Sequence, residues 1–273
     1  MSVRPQTRNC PMCGTRDTVP GHALTYRGLP YSIDRCAACD FLYVTNPSGT
    51  TFDHVQEAPA VVPEKPRHRQ IKRICNAVLR PGAAADAVHE VIEVGAGWGG
   101  LAQVFSRDSG WRYAGFEPSA ARAAFGRSRG FDVREGLFDS SGAAGIADAI
   151  VFDNVLEHVE EPRALVRDAA RALRRGGVLV VIVPNRHDLR RFHPAWRERH
   201  YWQPHCHINY FSRGDLDRLL GAHAMRPRFF GFEAVGGLRD DAGLLPRVIA
   251  DRLGLHLLGL NVYGVKPGDS RAP

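Results

Sequence analysis

A glycine-rich turn that follows a short apolar segment constrains the fold of this chain more than any other feature. Residues 91–99 read V-I-E-V-G-A-G-W-G, so one acid, Glu93, interrupts the apolar run just before the glycines. Glycine lets the backbone turn sharply and lets a ligand approach it closely. A second acid, Glu117, ends the segment Y-A-G-F-E, where a carboxylate can accept the hydroxyls of an adenosine ribose. The pattern predicts a strand, a cofactor-binding turn and a helix of an α/β fold.

The turn alone leaves two cofactors open, because residues 95–100, G-A-G-W-G-G, also satisfy the dinucleotide fingerprint G-x-G-x-x-G. Glu93 separates the two. A strand in the middle of a parallel sheet is buried on both faces, so an acid there needs a cationic partner. The ammonium of a methionine moiety would serve, whereas dinucleotide sites usually have an aliphatic residue at this position. A nicotinamide oxidoreductase therefore stays as the weaker alternative.

Three motifs, in order, resemble the class I S-adenosylmethionine (SAM)-dependent methyltransferases. Residues 93–99, E-V-G-A-G-W-G, are similar to the family's E/D-x-G-x-G-x-G. Residues 148–159, D-A-I-V-F-D-N-V-L-E-H-V, resemble the fourth strand and the turn after it, and residues 176–185 resemble the fifth strand. The resemblance covers about residues 65–265. It implies an α/β fold with a Rossmann-like, seven-stranded, mostly parallel sheet, helices on both faces, and a last antiparallel strand over 261–266.

The resemblance also implies SAM as the cofactor and a set of residues around it. Glu117 would accept the ribose hydroxyls, the turn would lie against the cofactor, and Glu93 would help to hold its amino-acid end. Asp139, beyond the third strand, is a candidate for the adenine amine, and Asn154 for a contact on the backbone side. The predicted cofactor-binding residues are Glu93, Gly95, Ala96, Gly97, Trp98, Gly99, Glu117, Asp139 and Asn154.

Three histidines are candidates for the acceptor side of the reaction. Methyl transfer needs in-line placement of the acceptor, and a base where that acceptor is a hydroxyl. Ligands of such sheets bind beyond the carboxyl ends of the strands, and His158 follows the fourth strand. His207 matches the family's H-x-x-x-F-S/T stretch, and His205 would share its face in an extended segment. The predicted catalytic residues are His207, His158 and His205, with a turn-stabilising role as the alternative for His158.

Two motifs bear on a catalytic metal, and both argue against one. In quinone-biosynthesis relatives that share L-E-H, an acid three residues before the glutamate is linked to a divalent metal, and Asn154 stands there in this chain. The run His205-Cys206-His207 carries metal-ligating side chains, but three consecutive residues rarely converge on one ion.

Two C-x-x-C pairs near the amino end predict a zinc ribbon. They are separated by 22 residues and are flanked by small or turn-forming residues, a spacing typical of four thiolates around one ion. Disulfides or a redox pair are the alternatives. A site of four thiolates has no open position, so the zinc is expected to stabilise the fold rather than to react. The predicted ligands are Cys10, Cys13, Cys36 and Cys39. Cys75 is predicted to be a thiol in a helix core.

The chain is predicted to divide into a zinc ribbon (residues 1–48), a proline-containing linker (49–66) and a SAM-dependent methyltransferase domain (67–273). Ile71, Ile74, Val78 and Leu79 form a helical stripe at the start of the last part. No apolar run approaches the length of a membrane helix, and Met1 does not open a secretory signal. We therefore expect a cytoplasmic protein without a membrane partner. Structural disulfides are rare in the cytoplasm.

The charge pattern bears on the partner. The formal net charge is +7, but only three of the 36 basic residues are lysines, a bias that indicates codon usage and argues against nucleic acid as the partner. Between residues 186 and 199, five arginines face only two acids. This run is either a solvated surface or a clamp for a phosphate or carboxylate group. We expect a small-molecule acceptor. An anionic group on that acceptor would suit the arginine run.

The leading functional hypothesis is methyl transfer from SAM to oxygen or carbon of a natural-product, sugar or quinone-like acceptor. Zinc-ribbon methyltransferases of deoxysugar carbon are similar at the amino end but carry a further carboxy-terminal domain. The alternative is an RNA (rRNA or tRNA) methyltransferase, since one ribosomal guanine-modifying family joins a zinc site to this fold. Its zinc motif tends to close with histidine, and its loop lacks L-E-H-V. The intact Glu93, Gly95, Gly97 and Glu117 argue against a non-catalytic SAM-binding protein.

Overall fold

The computed structural model describes residues 8–47, 57–81, 83–84, 86–139, 144–197, 201–230 and 259–268. Residues 49–56 of the predicted linker lie outside them, as do Glu198 and Arg199 of the arginine-rich run. The strands are β1 (Thr18–Tyr26), β2 (Leu29–Cys36), β3 (Leu42–Val44), β4 (His89–Val94), β5 (Trp111–Glu117), β6 (Val133–Glu135), β7 (Ala147–Asp153), β8 (Leu173–Val183), β9 (Asn209–Tyr210), β10 (Arg226–Phe229) and β11 (Leu260–Val265). The helices are α1 (Pro66–Leu79), α2 (Gly100–Phe105), α3 (Ala120–Ser128), α4 (Pro162–Ala172), α5 (Pro194–Trp196) and α6 (Arg213–Gly221).

The larger sheet has seven strands in the order β10-β11-β8-β7-β4-β5-β6. The strands from β8 to β6 are parallel, and β11 is antiparallel both to β8 and to β10. This confirms the predicted seven-stranded, mostly parallel sheet and its antiparallel last strand. The order reverses between β4 and β7, so the crevice for ligands opens there, at the carboxyl ends of the strands.

Helices cover both faces of this sheet, as predicted. Ile150 and Phe152 of β7 pack with α4 and α6, whereas Ala149 and Val151 pack with α1 and α2 on the opposite face. Successive side chains of a strand point to opposite faces, so a strand with core on both sides is apolar along its buried part, as residues 149–152 are. Cys75 of α1 is fully buried in the second of these clusters, which confirms the predicted core thiol.

The smaller sheet joins the amino-terminal segment to a distant part of the chain. Its order is β1-β2-β3-β9, and β3 is antiparallel to β9, with Leu42 opposite Tyr210 and Tyr43 opposite Asn209. Phe41 and Phe211 pack edge to face with ring centres 5.2 Å apart. The predicted domain limits remain a prediction, but this sheet contains strands from both sides of them.

The segment that carries His205 and His207 differs from the sequence-based expectation. Residues 203–207 form a turn, in which the amides of Cys206 and His207 both donate to the carbonyl oxygen of Gln203, at 3.0 and 2.7 Å. The two histidines therefore do not share one face of an extended strand. Pro204 occupies the second position of this turn, where the fixed φ of proline favours a turn over an extended strand. Among the described residues, no helix is both long enough and apolar enough to span a membrane.

Candidate functional site

The glycine-rich turn lies between the carboxyl ends of β4 and β5. Gly95, Gly97 and Gly99 have φ values of +77°, +53° and +80°, a region of backbone conformation that favours glycine. The amides of Gly95 and Ala96 both donate to the carbonyl oxygen of Phe116, at 2.8 and 3.0 Å. These bonds hold the turn against β5, next to Glu117.

Glu117 is buried at the end of β5 and faces this turn. Its Oε2 accepts the amide of Gly97 at 2.8 Å, and its Oε1 accepts the amide of Ser119 at 3.0 Å. The carboxylate is thus fixed within hydrogen-bond reach of the turn, in the region where the sequence predicts a ribose. Its role in binding stays a prediction.

Glu93 is buried in the middle of the sheet, as the sequence pattern required. Its partner in the structure is Tyr113 of β5, whose hydroxyl donates to Glu93 Oε2 at 2.5 Å. Burial, together with the nearby carboxylates of Asp153 and Glu117, raises the pKa of Glu93 well above its ordinary value, although the Tyr113 hydroxyl lowers it. Burial therefore favours the protonated form of this side chain, and a cation bound beside it would favour the ionised form.

The sequence reasoning missed a third acid, Asp153, and its two partners. Arg67 Nε lies 2.8 Å and His68 Nε2 3.5 Å from Asp153 Oδ2, and both residues belong to the first turn of α1. Burial would raise the pKa of Asp153, but His68 and Arg67 outweigh it and hold that pKa below its ordinary value. The signal was present, because an acid ends the apolar strand β7 as Glu117 ends β5.

Three other predicted cofactor-binding residues are Trp98 in the turn, Asn154 after β7 and Asp139 after β6. Trp98 packs edge to face against Phe125, with ring centres 5.3 Å apart. Asn154 follows β7 with φ +56°, and its amide donates to Ile182 at 2.9 Å. Asp139 is exposed and lies beyond β6. The structure places all three on the carboxyl side of the sheet without testing the contacts that they were predicted to make.

The structure brings His158 and His207 together. Their ring centres are 4.9 Å apart with planes at 62°, and His158 Nδ1 is 2.8 Å from the carbonyl oxygen of Cys206. Asn209 holds the two segments in place, because its side-chain amide donates to the carbonyls of Leu156 and Val159 at 2.8 and 2.7 Å. His205 instead stacks on Tyr26 of β1, with ring centres 4.3 Å apart.

Burial sets the protonation states around this pair. Burial, and to a lesser degree His158 and His205, lowers the pKa of His207 to about 3, so its imidazole is neutral at physiological pH. Burial likewise raises the pKa of Glu157 to about 8. An uncharged imidazole can orient a hydroxyl group by accepting its hydrogen bond, although a pKa of about 3 makes His207 a weak base for the proton itself.

A cavity of about 460 Å³ lies between the small sheet and the segment that follows β8. Its walls combine arginines with aromatic rings. Burial, with Arg186 and Arg191 beside it, lowers the pKa of His187. The lining residues are His22, Arg35, Asp40, Leu42, Arg186, His187, Arg191, Phe192, Arg197, Tyr201 and Trp202. A larger cavity, of about 550 Å³, lies between α1 and the strands β10 and β11. This larger cavity lies near the opposite edge of the sheet, away from the glycine-rich turn.

The four cysteines of the two C-x-x-C pairs form one cluster that fits a zinc ribbon. Their sulfur atoms all lie within 4.8 Å of one another, with 3.6 Å between Cys10 and Cys39 and 3.4 Å between Cys13 and Cys36. Four sulfurs around a tetrahedral zinc at about 2.3 Å are about 3.8 Å apart. Each pair closes with a residue of positive φ, Gly14 in the first and Asp40 in the second.

Comparison with known proteins agrees with this architecture. Residues 67–224, more than half of the chain, match the family model described as a methyltransferase domain. The chain therefore belongs to this family, and with its sheet order and glycine-rich turn it is a class I SAM-dependent methyltransferase. No curated protein matches the sequence significantly.

Three solved structures share the fold at low sequence identity. A SAM-dependent methyltransferase from Archaeoglobus fulgidus is 16% identical with a TM-score of 0.52, over 73% of this chain and 93% of that chain. The YcgJ protein from Bacillus subtilis is 15% identical with a TM-score of 0.51, over 73% and 99%. A geranyl diphosphate methyltransferase in complex with SAM is 18% identical with a TM-score of 0.50, over 73% and 85%.

Proposed function

We propose that this methyltransferase transfers the methyl group of SAM to oxygen or carbon of a small, anionic acceptor. The observation that carries the proposal is the cavity between the small sheet and residues 186–197 and 201–202. Its volume of about 460 Å³ falls in the range of small-molecule sites, about 300–1,000 Å³. Arginine side chains bind carboxylates and phosphates through bidentate hydrogen bonds. The aromatic rings of Tyr201 and Trp202 suit a planar molecule.

The residues at the carboxyl edge would hold the cofactor. Glu117 would accept the ribose hydroxyls of SAM, and Gly97, where a Cβ would meet no described atom within 4 Å, would leave room for it. Glu93 would meet the cofactor's ammonium group. SAM supplies an activated methyl group, so the protein has mainly to align the acceptor with the sulfonium carbon. His158 and His207 are the side chains proposed to orient the acceptor or accept its proton, with His205 as a third candidate.

The four-cysteine cluster is proposed to hold structural zinc through Cys10, Cys13, Cys36 and Cys39. The thiolate set and the spacing of the sulfur atoms support this assignment. Because four protein ligands leave no open position, the ion would stabilise the small sheet that forms one wall of the acceptor cavity.

An RNA acceptor is the second candidate, and the same cavity is what favours it. Arginines interleaved with aromatic rings can also hold a strand of nucleic acid by stacking its bases. The cavity has the size of a single small molecule, and the L-E-H-V loop is lacking in the zinc-containing RNA family, so we favour the small acceptor.

The test is methyl transfer from labelled SAM to separate pools of phenols, quinols, sugar nucleotides and bulk RNA. We expect label in a small-molecule pool. Glu117→Gln should weaken SAM binding about ten- to a hundredfold, because a charged hydrogen bond contributes about 1.5–3 kcal/mol. Glu135→Gln is the matched control, since Glu135 is the exposed neighbour of Glu117 on β6.

The outcomes separate the two candidates. Label in RNA alone would replace the small acceptor with the second candidate. Equal SAM affinity in the Glu117 and Glu135 variants would show that Glu117 does not contact the cofactor. His207→Gln should bind SAM normally and transfer slowly, and full activity in that variant would remove His207 from the acceptor site.

A further inference from the structure

Three side chains that can ligate a metal converge next to the acceptor side of the site, away from the four-cysteine cluster. His158 comes from the loop after β7, and Cys206 and His207 come from the turn before β9. One ligand atom from each lies within 4.8 Å of the other two. Imidazole nitrogen and thiolate sulfur are the ligands preferred by zinc and related transition-metal ions.

The hydrogen bond of His158 orients its ring for such a role. A carbonyl oxygen only accepts, so Nδ1 of His158 donates to the carbonyl of Cys206 across the 2.8 Å separation. In a neutral imidazole the lone pair then lies on Nε2. Metal-binding histidines commonly use this arrangement, in which one ring nitrogen donates to a backbone carbonyl and the other ligates the ion.

The distance between the two rings also fits a shared ion. Two imidazoles that bind one tetrahedral ion at about 2.0–2.1 Å have ring centres about 5 Å apart. The centres of His158 and His207 are 4.9 Å apart, and the planes are inclined at 62°. The thiol of Cys206 lies beside them, 3.6 Å from Gln203 Oε1.

Glu157 provides an independent indication of a cation. It is 1% exposed, and neither carboxyl oxygen has a hydrogen-bond partner among the described residues. Its Oε1 lies 3.8 Å from His158 Nε2. Burying a carboxyl group without a partner is costly, and a divalent cation held by the neighbouring side chains would offset that cost.

We propose that His158, Cys206 and His207 bind a transition-metal ion of the zinc class, with Glu157 as the adjacent carboxylate. Three protein ligands leave a fourth position open, in contrast to the four-cysteine cluster. In the metal-loaded protein the two rings are ligands, and an acceptor would meet the ion instead of a ring nitrogen. The site consists of side chains of this chain and needs neither SAM nor an acceptor. The proposed metal site can therefore be tested independently of the proposed reaction.

The test is to count zinc by native mass spectrometry in the full chain after dialysis against micromolar zinc. We expect two ions in the wild type and one in Cys206→Ser and in His207→Gln. His205→Gln and Cys75→Ser are matched controls, because each removes the same chemical group from outside the cluster, and both should retain two ions. Cobalt reconstitution gives a second measurement, in which the wild type minus Cys206→Ser spectrum should contain a sulfur-to-cobalt band.

Loss of a histidine or cysteine ligand should weaken zinc binding at the second site by at least about tenfold. Tenfold is the lower limit for mutating a group that only hydrogen-bonds to a metal ligand. Circular dichroism establishes that each variant is folded, and His158→Gln replaces any variant that is not. One zinc ion in the wild type, or equal zinc content in the cluster and control variants, would overturn the proposal.

Discussion

At the residue scale, the environment of Glu93 creates a dependence of stability on pH. Burial raises the pKa of Glu93 in the folded protein, with Asp153 and Glu117 adding to the effect. The unfolded chain loses this proton near the ordinary pKa of 4.5, whereas the folded chain retains it to higher pH. Between the two values the folded state binds more protons, so its stability falls as pH rises. The contribution of Glu93 is intact below the ordinary pKa and decreases above it.

Glu93→Gln should remove this dependence, because glutamine does not titrate. In urea unfolding from pH 5.5 to 7.5, the free energy of unfolding of the wild type should fall relative to the variant. One group that titrates in this way contributes about 1.4 kcal/mol per pH unit. Glu135→Gln, an exposed substitution on β6, controls for the loss of a charge at the same edge. Parallel profiles for wild type and Glu93→Gln would show that Glu93 is ionised in the folded protein.

Some acids of the site could be predicted from the sequence, whereas the partners of those acids could not. Glu93 and Glu117 could be found because an acid in an apolar strand is conspicuous. Tyr113 could not be identified as the partner of Glu93, because that contact depends on the register of β4 against β5, which places Glu93 opposite Gly115. Arg67 and His68 were missed because their contacts with Asp153 join distant parts of the chain, 86 positions apart for Arg67.

At the element scale, the glycines of the turn have different tasks. A Cβ on Gly99 would lie 2.9 Å from the ring of Phe131, and one on Gly95 would lie 2.8 Å from Val155. A Cβ on Gly100 would collide with the ring of His68. Only at Gly97, among these, would it meet no described atom within 4 Å. The sequence predicts cofactor contacts at Gly95, Gly97 and Gly99, and those contacts stay a prediction. At Gly95, Gly99 and Gly100 the lack of a side chain allows close packing of the protein itself.

Gly100→Ala should therefore separate α1 from α2. The added methyl group would also lie 2.7 Å from the carbonyl oxygen of Pro63, and the His68 ring would have to move away from Asp153. Overpacking of this kind costs about 1–3 kcal/mol. Gly221→Ala, at the end of α6 with no described atom within 4 Å of the new Cβ, is the control and should be neutral or stabilising. The free energy of unfolding measures both, and equal values would mean that α1 adapts without loss.

At the scale of the whole molecule, the amino-terminal segment and the large sheet share a core. Cys10, Cys36, Phe41 and Tyr43 belong to the same buried cluster as β7, β8 and α6. Arg8 adds to the junction, because its guanidinium donates to the carbonyl of Ile208 and to Asn209 Oδ1, at 2.7 and 2.6 Å. The C-x-x-C spacing was sufficient to predict the cysteine cluster. It could not show that the small sheet takes its fourth strand from residues 209–210, since a two-residue strand carries no periodic signal.

Loss of zinc from the four-cysteine cluster should therefore also loosen the segment that carries His207. Cys36→Ser is expected to release one zinc ion and to loosen β3, which pairs with β9 two residues beyond His207. Hydrogen exchange should accelerate in residues 29–44 and 201–212, while β7, in the centre of the large sheet, should stay protected. Cys75→Ser removes a buried thiol from the opposite face and serves as the control for the loss of a cysteine. Faster exchange confined to residues 8–44 would show that the zinc ribbon and the methyltransferase fold are stable independently of each other.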